Sequence, residues 1–277
     1  MSTDIKTESF KRKQLKKLGL KFDNWDYMVA LAGNPNTGKS TVFNALTGLR
    51  QHTGNWPGKT VSRAEGAFDY KNNRFKLVDL PGTYSLLSTS EDEEIARNFI
   101  LFGQPDVTVI VVDATRLERN LNLTLQILEI TNKVVICLNL MDEAKRKGIE
   151  IDITALSEEL GVPVIDTVAR YEKGFDELLS SIHEVAAGNT NIETSPDIEI
   201  PKELKIPVND LVKDMEELYP ELPNKKWLAI RLLEGDKRIE EALCSGELLD
   251  LNKSFNQPHL NLDEELKLLN STEANHD

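Results

Sequence analysis

Apolar residues follow two rhythms that alternate along this chain. Short runs such as Tyr27–Ala32, Val107–Val112 and Lys133–Leu138 are almost wholly apolar, the pattern of strands buried on both faces. Val162–Asp166 reads as a further strand. Between these runs, apolar positions recur every three or four residues and predict helices over Lys39–Thr47, near Asp92–Leu101, near Glu118–Ile130, over Ile153–Leu160 and over Phe175–Ala187. Arg63–Tyr70 and Arg74–Leu80, joined by Lys71-Asn72-Asn73, predict an antiparallel pair, and residues 49–61, rich in Gly, Asn and Pro, read as a loop. Strands alternating with helices predict a doubly wound, mostly parallel α/β sheet with ligands at the carboxyl ends of its strands.

The rhythm changes after Ala187. The stretch to Pro207 is polar and aperiodic and reads as a linker. From Val208 to about Asp250 it is helical, with Leu211, Met215, Leu218, Trp227, Ile230, Leu233 and Leu243 as the apolar positions. The expected division is a basic extension over 1–25, an α/β domain over 26–188, a linker over 189–207, a small all-α domain over 208–252 and an acidic tail over 253–277. The tail carries one short predicted helix at Asp263–Leu269. In the extension, Lys11-Arg12-Lys13, Lys16-Lys17 and Lys21 alternate with leucines, which reads as a solvated helix ahead of an anionic-lipid contact.

The loop between the first strand and the first helix is Gly33-Asn34-Pro35-Asn36-Thr37-Gly38-Lys39-Ser40, the G-x-x-x-x-G-K-S pattern of a P-loop in strand–loop–helix context. Gly33 and Gly38 let the backbone approach phosphates closely, above the positive end of the helix opened by Lys39, Ser40 and Thr41. Lys39 is expected to neutralise the β- and γ-phosphates and the Ser40 hydroxyl to ligate Mg²⁺. Phe75–Gly82 ends in D-x-x-G, placing Asp79 to hold the Mg²⁺ shell through water and the Gly82 N–H to sense a γ-phosphate.

The strand over Lys133–Leu138 runs into Asn139-Leu140-Met141-Asp142, an N-x-x-D sequence. The Asp142 carboxylate can accept the paired N1–H and N2–H₂ of guanine, donors that adenine lacks, and a site built on paired donors rejects the analogue without them. A fourth element, Val162–Arg170, has Val168 where GTPases usually show Ser, followed by a matching Ala169; a backbone N–H contact to guanine O6 needs no Ser. All four elements fall at carboxyl strand ends, and together they predict binding of GTP.

Composition narrows the class. With 33 basic and 46 acidic residues the 277-residue chain carries a formal charge of −13, the opposite of a surface that tracks nucleic-acid phosphates. Cys137 and Cys244 fall in different predicted units and suggest no disulfide, which fits a reducing compartment. No signal peptide is read, and no apolar run approaches the roughly 18 residues of a membrane span. His52, His183, His259 and His276 lack metal-ligand spacing, so no iron site is expected.

Five segments are more discriminating than the P-loop alone: Asn34–Lys39, Gly54-Asn55-Trp56-Pro57-Gly58-Lys59-Thr60-Val61, Asp79–Leu86, Leu117-Glu118-Arg119-Asn120-Leu121 and Lys226–Asp236. Over roughly residues 27–250 the chain resembles the cytosolic GTPase region of the FeoB family of prokaryotic ferrous-iron transporters. The resemblance implies a Ras-like P-loop GTPase domain followed by a helical domain that influences nucleotide retention. It also implies a polytopic membrane domain as partner, absent from these residues, and a place at the cytoplasmic face of the bacterial inner membrane. Small accessory proteins of iron uptake are further implied partners; the piece alone would be soluble. In the implied site Gly58 and Met141 join the nucleotide contacts, and Thr60 completes the Mg²⁺ shell. Asn36, with backbone carbonyls near Gly54 and Trp56, holds an activating K⁺. Lys39, Thr60 and Asn36 are the implied catalytic groups. Thr83 stands where many GTPases place a water-orienting Gln, so hydrolysis should be slow and K⁺-stimulated. Two other readings stay open: an RNA- or ribosome-associated GTPase of the Era or tRNA-modification kind, and a regulatory module that holds nucleotide without hydrolysing it.

Overall fold

A computed structural model describes residues 25–48, 51–56, 59–87, 90–189 and 201–256. The basic run before Lys21, Gly58 and the Asp263–Leu269 helix lie outside the described residues. At the centre is a seven-stranded sheet in the order β2-β3-β4-β1-β5-β6-β7. Its strands are β1 (Tyr27–Gly33), β2 (Gln51–Asn55), β3 (Ser62–Tyr70), β4 (Asn73–Asp79), β5 (Val107–Asp113), β6 (Val134–Asn139) and β7 (Val164–Asp166). β2, β3 and β4 pair antiparallel, and every other pairing is parallel. The β3–β4 turn is tight because Lys71 and Asn72 both take positive φ, 45° and 63°, matching the twist of the flanking strands.

Helices cover both faces, so the central strands are largely apolar and their apolar residues alternate between two cores. Met28, Ala30, Val78, Ile110, Val112, Ile136 and Leu138 belong to one cluster; Val29, Leu31, Leu77, Val109, Val111, Val135 and Cys137 belong to the other. The second core is closed by α1 (Lys39–Thr47) and α6 (Phe175–Ala186). The first is closed by α2 (Glu91–Asn98), the wide turn Phe99–Gly103 and α3 (Leu117–Ile130). Two short helices, α4 (Met141–Arg146) and α5 (Ile153–Leu160), connect β6 to β7.

Three elements differ from the sequence expectation. The helix expected near Asp92–Leu101 ends at Asn98 and gives way to a π-type turn. Phe99, Ile100, Leu101 and Phe102 are consecutive and all buried, an apolar run without helical period that falls in the wider turn. Gln51–Asn55, expected as loop, forms edge strand β2. The helix expected from Val208 begins at Lys202 and carries Pro207 inside it; one lost N–H near a helix start costs a single bond, while Val208 and Met215 are anchored in the core.

Helices α7 (Lys202–Leu218), α8 (Lys225–Leu233), α9 (Lys237–Cys244) and α10 (Glu247–Asn256) form the helical unit. Val208, Met215, Trp227 and Leu228 share the apolar cluster under α2 and α3. Polar ties reinforce it: Asn224 Nδ2 donates to the Ile130 carbonyl at 3.2 Å, Arg231 meets Glu129 at 3.1 Å and Arg238 meets Glu94 at 2.6 Å. Among the described residues no helix is long and apolar enough to cross a membrane.

Phe75 is fully buried, stacked on Phe68 at 4.9 Å and on Tyr27 at 5.3 Å. Phe75→Ala should therefore cost about 3–5 kcal/mol of unfolding free energy, read from the midpoint of a denaturant titration at unchanged slope; a loss within 1 kcal/mol would contradict this packing.

Candidate nucleotide-binding site

β1 ends at Gly33 and α1 starts at Lys39, leaving the intervening loop over the amino end of the helix. Two contacts require glycine. A Cβ on Gly33 would lie 2.6 Å from the Val111 carbonyl oxygen, and one on Gly38, at φ +86°, would lie 2.4 Å from Asn139 Nδ2. No side chain caps α1 and its first turn holds no acid, so its free N–H groups remain available to an anion. The Thr37 hydroxyl donates to the Asn34 carbonyl at 3.0 Å and braces the loop. Asn36 sits exposed at its tip with φ +67°, while Asn34 and Thr37 are buried.

Lys39 reaches across to the end of β4, where its ammonium donates to the Asp79 carboxylate and, at 2.7 Å, to the Leu80 carbonyl. Burial raises the Asp79 carboxyl above its ordinary range, outweighing the opposing pull of Lys39. Ser40 follows Lys39 on the helix and is exposed. A hydroxyl and a carboxylate on either side of the same lysine are hard oxygen donors of the type Mg²⁺ takes.

Gly82 lies against Pro35, with a notional Cβ 3.6 Å from three of its atoms, so the D-x-x-G turn touches the P-loop. Thr83 is only 4% exposed and does not present its hydroxyl to open solvent. The segment after it lies along α3: the Arg119 guanidinium stacks 4.4 Å from the Tyr84 ring centroid, and the Gln126 side chain accepts the Leu86 N–H at 2.7 Å.

At the other end of the site, Asn139 joins two loops. Its Nδ2 donates to the Thr37 carbonyl and its Oδ1 accepts the Ala169 N–H, both at 3.0 Å. Thr167, not singled out in the sequence, supports it: its hydroxyl lies 3.5 Å from Asn139 Oδ1, 3.3 Å from the Leu138 carbonyl and 3.2 Å from Cys137 Sγ. A side-chain brace is thus present one residue before Val168, which is buried and apolar. Burial pushes the Cys137 thiol up to about 12, so that cysteine is a packing residue and no nucleophile.

Beyond Asn139 opens a cavity of about 590 Å³ lined by Leu140, Asp142, Glu143, Val168, Ala169 and Arg170, among others. Leu140 takes a left-handed conformation, φ +64°, and starts α4 so that Met141 and Asp142 fall in its first turn. A planar base has room here, with the Asp142 carboxylate on the wall.

Gly54, Trp56 and Thr60, the remaining expected site residues, are placed differently. Gly54 is an exposed strand residue opposite Arg63, the Trp56 carbonyl accepts the Lys59 N–H at 3.0 Å, and Thr60 is exposed. Of the two carbonyls expected around a K⁺, that of Gly54 belongs to edge strand β2 and that of Trp56 is taken by the Lys59 N–H. The P-loop, Asp79, Gly82, Asn139 and Ala169 are linked by direct contacts, whereas Gly54 and Thr60 are exposed.

Comparison with known proteins settles the lineage. The family of ferrous iron transport protein B matches residues 27–182. The chain belongs to this family. It is 45% identical over 212 residues to the Fe(2+) transporter FeoB of Escherichia coli K12, covering 75% of this chain and 27% of the relative. The counterpart of Salmonella typhimurium LT2 is 43% identical over the same length. The chain thus spans about a quarter of these relatives. Among solved structures, the apo cytosolic domain of the T. maritima FeoB iron transporter is 37% identical, covers 86% of this chain and 89% of its own, and superposes with a TM-score of 0.71. A GDP form of that domain scores 0.72 at 36% identity, covering 87% and 90%. These matches agree with a Ras-like α/β GTPase fold carrying a helical unit.

Gly38→Ala tests the glycine contact. The added methyl collides with Asn139 at a left-handed position, so affinity for GDP should fall at least tenfold with the thermal midpoint only a few degrees lower; unchanged GDP affinity by calorimetry would show that the loop does not cradle phosphate.

Proposed function

We propose that this chain binds and hydrolyses GTP as the cytosolic part of a ferrous-iron uptake transporter, and that the nucleotide cycle powers or gates Fe²⁺ passage through a membrane domain. The observation that carries the reading is Asn139, bonded at once to the P-loop and to the loop at Ala169, beside a cavity walled by Asp142. A single buried amide fixes the spacing between a phosphate cradle and a base pocket. Relatives solved in GDP forms support binding of a guanine nucleotide.

Each group then has a role. Asp142 reads guanine through its paired donors, with Met141 and the backbone at Val168 and Ala169 flanking the base. The amides from Asn34 to Thr41 and the Lys39 ammonium take the phosphates. Ser40, Thr60 and, through water, Asp79 would hold Mg²⁺, which supplies charge neutralisation for phosphoryl transfer. Asn36 and the carbonyls of Gly54 and Trp56 would hold K⁺ where it offsets charge between the β- and γ-phosphates. For that, Gly54, Trp56 and Thr60, the first switch of this cycle, must swing inward, so the conformation described above is a resting state. With Thr83 buried, water orientation falls to backbone groups and turnover is slow. The partners are GTP and GDP, the transporter's membrane domain and small accessory proteins, at the cytoplasmic face of the bacterial inner membrane.

Phosphate release measured with GTP or ATP, in matched KCl and NaCl with Mg²⁺, tests this reading. Expected is turnover with GTP only, several-fold faster in KCl, abolished by Asp142→Ala and made indifferent to K⁺ by Asn36→Ala. Equal turnover of ATP would overturn the base assignment, and GTP turnover blind to K⁺ would remove the cation role.

A further inference from the structure

The first-switch segment has an anchor that the nucleotide chemistry does not use. Residues 52–55, 59 and 60 around Trp56 are exposed, yet Trp56 itself is 4% exposed. Its ring packs edge-on against Phe99, centroids 5.5 Å apart at 74°, and the Arg63 guanidinium stands 5.5 Å from its centroid. Phe99 is the first residue of the π-type turn after α2, and it belongs to the core that the helices close. The backbone repeats the hold: the Trp56 N–H donates to the Val61 carbonyl at 3.0 Å, and β2 pairs with β3 from Gln51↔Gly66 to Asn55↔Ser62. The Lys59 ammonium adds ion pairs at 3.5 Å to both Glu91 and Glu94 of α2.

We propose that Trp56 is the latch of the first switch: seated on Phe99, it keeps Gln51–Asn55 in the sheet and Thr60 away from the phosphates, and a bound GTP draws it out. The inference rests on the nucleotide-switch reading above and adds the side chain that sets its resting position. Three features argue for a latch in place of a permanent core residue. Trp56 is buried while its described neighbours 52–55, 59 and 60 are exposed, so segment and anchor move together. Its indole N–H is buried without a hydrogen-bond partner, so apolar contact holds the seat while an unmet donor weakens it. The flanking ion pairs are long and exposed in part, the kind that solvent replaces at little cost. A seat that is firm but incomplete lets a ligand with moderate preference for the closed form shift the balance.

The test uses the whole chain and its tryptophan emission. The contribution of Trp56 is the difference between wild type and Trp56→Phe, since Trp25 and Trp227 are common to both. With a non-hydrolysable GTP analogue and Mg²⁺, that difference spectrum should move to the red and become open to acrylamide quenching; with GDP it should remain blue and protected. Trp56→Ala should bind the analogue about tenfold more tightly relative to GDP, because a buried indole no longer holds the open form. Phe99→Leu, which trims the seat and leaves the indole in place, should act in the same direction more weakly. Emission that stays blue and protected with the analogue bound, or variants that weaken analogue binding, would overturn the latch and leave the nucleotide reading intact. A wild-type chain that binds neither nucleotide would overturn both.

Discussion

One buried amide couples the two halves of the site. Asn139 is 1% exposed, and its three neighbours are the Thr37 carbonyl, the Ala169 N–H and the Thr167 hydroxyl. The P-loop hangs from β1 and the Ala169 loop follows β7, strands separated in the sheet by β5 and β6. Nothing in the strand pairing alone would hold those loops at the length of a nucleotide. In a low-dielectric interior an unmade amide bond is costly, so satisfying this side chain fixes both loops together. The same amide explains why position 38 must be glycine, since a Cβ there would fall 2.4 Å from its Nδ2.

The phosphate end is held in a different way. Lys39 rests on Asp79 and the Leu80 carbonyl, an internal partnership that a phosphate and a cation would replace. The D-x-x-G turn packs on Pro35, and the chain beyond it is strapped to α3 through Arg119 and Gln126. Gln51–Asn55, which the proposed cycle makes a moving segment, forms the sheet's edge strand. A rigid base end and a rearrangeable phosphate end suit a protein that distinguishes nucleotide states by the γ-phosphate. The helical unit packs on the α2–α3 face, next to the segments that would move.

Most of the sheet was legible because its strands are apolar on both faces and punctuated by helices with a clear 3.6-residue period. The P-loop, Asp79 and Asn139 were legible because each motif sits at a carboxyl strand end. What escaped did so for identifiable reasons. Gln51–Asn55 is polar and glycine-containing, and only pairing with β3 makes it a strand. The π-type turn follows from a run of apolar residues that has no helical period. Pro207 pointed to a boundary that the anchoring of Val208 and Met215 overrides. Thr167 carries no motif of its own; its role exists only once β6 and β7 are side by side. The fate of Trp56 was equally invisible, since a tryptophan in a glycine-rich loop gives no sign of the Phe99 seat.

Backbone amide exchange in wild type and Asn139→Ala, each saturated with GDP, tests the coupling most directly. If Asn139 joins the two half-sites, removing it should speed exchange both at Thr37–Lys39 and at Val168–Arg170, by at least tenfold at each. Acceleration confined to one of the two loops would contradict the coupling and leave Asn139 as a local brace.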